Sequence, residues 1–144
     1  MNNDKTYHGS CFCGAVKFIV TGEPAAMGYC RCEASCRWAA EAVNAFALWK
    51  PESLRITQGA NNIGSYNKTE HSARKWCKSC GGHLFTDHPH WQLTDVYAGV
   101  IEEFPYQAGE RVDCREDLLN VRDESSTRKR WPVEMSDSNV ATAE

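Results

Sequence analysis

The apolar residues of this chain come in short bursts separated by turn chemistry. Residues 15–20 (AVKFIV), 43–48, 54–57, 75–77, 83–86 and 95–100 are rich in β-branched or aromatic side chains and are bounded by Gly, Pro, Asn or Ser. Runs of that length and composition predict strands. The intervening segments 21–24 (TGEP), 58–62 (QGANN) and 87–90 (DHPH) read as turns. Helical periodicity is scarce. The run at 32–42 (CEASCRWAAEA) predicts one short helix, and residues 116–120 a weaker turn. The domain is therefore expected to be mainly β.

Length and composition refine that picture. A chain of 144 residues with 42% hydrophobic and 24% charged side chains suits a single domain with one core. That domain is expected over residues 1–135. Beyond 123 the composition turns polar, and residues 136–144 carry no periodicity, so a disordered tail is expected there. A net charge of −3 gives no global field for nucleic acid or an anionic membrane. Arg128, Lys129 and Arg130 read as a solvated patch in an acidic whole. No apolar run approaches the roughly 18 residues of a spanning helix, and no signal-peptide pattern follows the N-terminus, so a cytoplasmic location is expected.

Eight cysteines change the picture most. In a reducing compartment they point to metal or redox chemistry rather than a disulfide framework. Cys11 and Cys13 form C-x-C, Cys30, Cys32 and Cys36 form C-x-C-x3-C, Cys77 and Cys80 form C-x-x-C, and Cys114 stands alone. Zinc takes four tetrahedral donors, which two such short turns can supply. Cys11/Cys13 with Cys77/Cys80, each turn followed by glycine, would make a closed structural site. Cys30, Cys32 and Cys36 would leave one coordination position open, as catalytic zinc requires. On a helix Cys32 and Cys36 would share a face. Other assignments stay open at this level. Cys11/Cys13 could close on Cys30/Cys32, Cys77-x-x-Cys80 could be a redox pair, and all eight could be inert buried thiols.

Three blocks, GSCFCGAV at 9–16, YCRC at 29–32 and WCKSCGGHL at 76–84, make the chain resemble the glutathione-dependent formaldehyde-activating enzymes, whose domain is shared with centromere protein V. The resemblance spans residues 7 to 115. It implies several small coiled β-sheets of the β-tent type and two zinc ions per chain, one structural on Cys11, Cys13, Cys77 and Cys80 and one catalytic on the middle cluster. It also implies addition of glutathione to formaldehyde, formally a carbon–sulfur lyase reaction in the synthetic sense, with a small-molecule thiol and an aldehyde or other electrophile as partners.

Two departures stand out. The related pattern is C-H-C-x-x-C, so Ser35 occupies the usual third-ligand position and Cys36 falls one residue late. Cys36 is expected to take over, since serine is a poor zinc donor. Arg31 replaces histidine, and either holds a substrate carboxylate through its planar fork or is a surface arginine. His71, His83, His88 and His90 are candidates for acid–base work or ordinary packing, with His83 expected near the knuckle. Trp38, Phe46 and Trp49 either line the site or belong to the core. A competing reading is a zinc-stapled interaction module in which Arg74, Lys75 and Lys78 touch a partner.

Overall fold

The computed structural model describes residues 5–107 together with the strands at 110–112 and 126–128. Cys114, the turn expected at 116–120 and the tail at 136–144 lie outside the described residues. The strands are β1 (Thr6–Ser10), β2 (Lys17–Thr21), β3 (Ala26–Cys30), β4 (Asn44–Trp49), β5 (Leu54–Gln58), β6 (Ile63–Thr69), β7 (Ser72–Cys77), β8 (His83–His88), β9 (Leu93–Val96), β10 (Glu110–Val112) and β11 (Ser126–Arg128). One α-helix, α1 (Glu33–Ala39), interrupts them, so the described chain is mainly β with a single short helix, as its pattern predicts.

The strands form a three-stranded antiparallel sheet, β1-β2-β5, and an eight-stranded sheet in the order β11-β10-β3-β4-β9-β8-β7-β6. Strand β4 (NAFALW) is buried along nearly its whole length, because both faces of this central strand are covered. Its alternate residues belong to two cores. Ala47 and Trp49 pack with Val16, Phe18, Val20, Phe85 and Val96 between the sheets, in the cluster that also holds Cys11 and Cys77. Phe46 and Leu48 pack on the outer face with Cys30, Cys32 and Ala34.

Helix α1 is shorter than its sequence run. Cys32 stands at the N-cap without a side-chain capping bond, and the helix stops where Ala40 turns left-handed (φ 57°). Glu41 N–H then bonds Cys36 O at 3.1 Å, closing the end in the manner of a Schellman turn. The expected strand at 95–100 also ends early. Residues Ala98–Val100 form one 3-10 turn that leads to a bridge between Gly9 and Ile101.

Register decides which side chains meet on the outer face. Leu48 is opposite Asp95, Asp95 opposite Thr86, and Thr86 opposite Arg74, a single row across four strands. Cys30 is opposite Asn44, two residues from Phe46 and four from Leu48, so it lies on that same face. The outer face thus carries an apolar patch beside a polar row, with α1 above it.

Candidate functional site

The first thiol cluster is built by two glycine-containing turns. After Cys11 the chain folds back through Gly14, which has φ 84°, and Gly14 N–H bonds Cys11 O at 3.1 Å. After Cys80 it does so through Gly81 at φ 77°, with Gly81 N–H bonding Cys77 O at 2.8 Å. A side chain at either glycine would meet nothing within 4 Å, so the left-handed backbone and not a lack of space selects glycine. The turns aim N–H groups at sulfur: Val16 N–H lies 3.3 Å from Cys11 Sγ and Gly82 N–H 3.4 Å from Cys80 Sγ. The Asn62 amide reaches Cys77 Sγ at 3.5 Å. Donors placed this way stabilise thiolates. The sulfurs of Cys11, Cys13, Cys77 and Cys80 all lie within 4.8 Å of one another and could hold a metal ion. Among the described residues no other group of three or more Cys, His, Asp or Glu converges so closely.

The second cluster departs from the expected trio. Cys30 Sγ lies 3.2 Å from Cys32 Sγ, and the side chain that meets both is Ser35, whose Oγ is 3.7 Å from Cys30 Sγ and 3.0 Å from Cys32 Sγ. Cys36 Sγ instead faces the Ala42 carbonyl at 3.4 Å and the Cys30 carbonyl at 3.9 Å. The reason is helical phase. Cys32 is the N-cap of α1, so Ser35, three residues on, comes back over it, whereas Cys36 is rotated by a further 100° toward the strand side. Cys30 and Cys32 are almost fully buried, at 0% and 3% exposure.

Their thiols titrate as a pair. The hydrogen bond from Cys30 draws Cys32 down to about 6, helped by Ser35 and the charge of Arg74 and opposed by burial. Cys30, which donates that bond and is desolvated, is pushed well above the ordinary thiol range. One thiolate is thus held near neutral pH by groups already in place.

In the competing module reading Arg74 touches a partner together with Lys75 and Lys78. Successive residues of β7 point to opposite faces, and Arg74 is buried on the outer one at 7% exposure. Its guanidinium sits 5.7 Å from the centre of the Trp38 ring, and Tyr97 hydrogen-bonds it. Asp95, next but one along the row, is also buried. Burial raises its carboxyl to about 7 despite the Ala47 N–H at 3.1 Å, Asn44 and Arg74. Neither Arg74 nor Asp95 carries a motif, so only the register could reveal them.

The remaining candidates fall as follows. Arg31 is buried at 2% exposure, which removes the surface alternative. The His83 ring stacks on Trp38 at 4.1 Å and 9°, and burial lowers its pKa. On the side of the first cluster, His83 lines a cavity of about 340 Å³ together with Cys11, Phe12, Gly82, Gly99 and Glu102. His88 stacks on Trp91 at 4.5 Å and lies 3.4 Å from Ser72 Oγ, while His71 and His90 meet edge to face at 4.9 Å. Phe46 packs beside the second cluster, and Trp49 belongs to the core between the sheets.

The description that matches the chain as a family model is that of glutathione-dependent formaldehyde-activating enzymes, over residues 6–116. No curated protein matches the chain. A crystal structure of a Rhodobacter sphaeroides protein shares the fold, with a TM-score of 0.56 at 24% identity over 67% of this chain and 89% of that one. Among the described residues no helix is long and apolar enough to cross a membrane.

Proposed function

The chain belongs to the glutathione-dependent formaldehyde-activating enzyme family, and on that premise we propose that it adds a glutathione-like thiol to formaldehyde or a related electrophile, a carbon–sulfur lyase-type reaction in the synthetic sense. Zinc is the ion we assign to both thiol clusters. Bonds of about 2.3 Å in a tetrahedron set sulfur–sulfur edges near 3.8 Å. The first cluster has Cys11–Cys13 at 3.6 Å and Cys13–Cys77 at 3.8 Å. Four thiolates leave such an ion no open position, so this site is structural.

The observation that carries the reading is the triangle of Cys30 Sγ, Cys32 Sγ and Ser35 Oγ, with edges of 3.2, 3.0 and 3.7 Å. We take these three as the ligands of the second ion, in place of a trio completed by Cys36. An ion bound there supplies the positive charge that keeps a substrate thiol ionised near neutral pH. The protein's own groups do the rest. Phe46 and Leu48 floor the cluster and exclude water, so charges act over it at low screening. Trp38, on the same helix as Ser35, stacks flat against His83.

The test is a single variant with two readouts. Cys32→Ala is expected to lower the metal content from two ions per chain to one and to abolish thiol–formaldehyde adduct formation, followed by NMR, while the thermal midpoint stays within a few degrees. Full activity in that variant would remove the second cluster from the chemistry. One ion per chain in the unaltered protein would favour a stapled module without catalysis.

A further inference from the structure

The cavity beside the first thiol cluster takes no part in the chemistry proposed above. It lies where the turn after β1, the knuckle after β7 and the 3-10 turn Ala98–Val100 meet. Backbone bonds fix that junction: Gly9 is bridged to Ile101, and Glu102 N–H bonds His8 O at 2.8 Å. A Cβ on Gly9 would fall 2.7 Å from the Val100 carbonyl oxygen, so glycine lets the two segments close on each other. The walls are in place without a ligand, and at about 340 Å³ the space is within the size range of small-molecule pockets.

Three oxygen- or nitrogen-bearing side chains line it, Ser10, His83 and Glu102, and among the described residues none of them makes a side-chain hydrogen bond or ion pair. Glu102 is the one formal charge in the lining, which holds no Lys or Arg. His83 is kept neutral by burial, with Arg74 adding to the effect, so one ring nitrogen keeps a lone pair. Carboxylate, hydroxyl and imidazole are three acceptors. A primary ammonium carries three N–H donors and the matching charge. The remaining lining is largely apolar, with Val100, Ile101 and Phe12, whose ring is 94% exposed. An exposed aromatic ring beside a carboxylate suits a cation and the apolar body that carries it.

We propose that this cavity is a binding site for a small primary ammonium with an apolar body, held by Glu102, His83 and Ser10 and covered by Phe12. It goes beyond the thiol–aldehyde reading and does not depend on it.

The test titrates the zinc-loaded protein at pH 7.5 with 2-phenylethylamine and with 2-phenylethanol, which has the same shape and no charge. NMR is expected to show the amine binding about tenfold more tightly than the alcohol. The His83 ring signals should shift with it, while those of His71 and His90, which pair with each other elsewhere, stay in place. Glu102→Gln should bring the amine to the level of the alcohol, and Phe12→Ala should weaken both severalfold. Glu103→Gln removes a neighbouring charge outside the lining and should leave the preference unchanged. Glu102 and Phe12 are both exposed, so these variants keep the fold. Equal binding of amine and alcohol in the unaltered protein overturns the assignment. So does a preference that survives Glu102→Gln or is lost equally in Glu103→Gln, and so do shifts confined to histidines other than His83. No aldehyde enters the measurement, so its outcome and that of the thiol–formaldehyde assay are read separately.

Discussion

The two thiol clusters are built from the same residue at similar spacing, yet their surroundings are opposite. Around Cys11, Cys13, Cys77 and Cys80 the partners are backbone N–H groups from turns and the Asn62 amide, and Cys13 is exposed to solvent. Around Cys30 and Cys32 the Ser35 hydroxyl and the charge of Arg74 join the Cys32 N–H, which lies 3.5 Å from Cys30 Sγ, and both cysteines are buried. Backbone donors are fixed once the turn forms, so the first cluster can staple the turn after β1 to the knuckle after β7. Side-chain donors on a helix and a sheet face can serve a guest. The more exposed cluster is the one we read as structural, which shows that exposure alone does not mark chemistry.

Removing one sulfur from each cluster sharpens the contrast most. Cys77→Ala is expected to unfold the domain or lower its thermal midpoint by more than 10 °C, because a structural zinc site contributes on the order of 10–16 kcal/mol in small peptides. Cys32→Ala should leave the midpoint nearly unchanged. Calorimetric melts that respond equally to both would erase the distinction. Prolonged chelation should follow the same order, with the second ion leaving before the fold is lost.

A finer comparison lies within α1. Ser35→Cys would turn the S,S,O triangle into three thiolates, and is expected to tighten the second ion at least tenfold in competition with a chromogenic chelator. Cys36→Ala should leave that affinity within about threefold, since its sulfur faces the Ala42 carbonyl. The reverse ranking would return the ligand role to Cys36.

The smallest expected effect sits away from both clusters. Burial lowers His88 to about 4, with Arg74 adding to the effect and a His71 backbone bond opposing it. The folded state holds the ring neutral while the unfolded chain takes up a proton below about 6.5. Stability is therefore fully present above pH 6.5 and falls as the pH drops toward 4, by about 2 kcal/mol once partial exposure of the residue is allowed for. Asp95, raised to about 7, shifts stability the opposite way over the same range, so the His88 contribution is read as the difference between the unaltered protein and His88→Gln in urea titrations at pH 7.5 and 4.5.

Much of the fold was legible in the chain. Strands β2, β4, β5, β7 and β8 follow their apolar runs, because each buries a face rich in branched or aromatic residues. Strands β1, β3, β6, β10 and β11 were not foreseen. In β6 (IGSYNKT) five of the seven residues are polar or glycine and most are exposed, since it is an edge strand held by its ladder to β7. Strand β3 (AMGYC) has no β-branched residue and no alternating apolar pattern, and it is held by strands paired on both sides. Pairing across sequence, not local preference, makes these strands.

The site divides along the same line. The sequence by itself determined that seven cysteines stand at ligand spacing in three groups, and that one closed and one open cluster could follow, because short turns fix how far apart neighbouring sulfurs can lie. Only the tertiary structure brought Cys11 and Cys13 against Cys77 and Cys80, set Ser35 rather than Cys36 over the Cys30/Cys32 pair, and buried Arg74 beside Cys32. Those outcomes depend on strand register and helical phase, where a step of one residue turns a side chain to the other face.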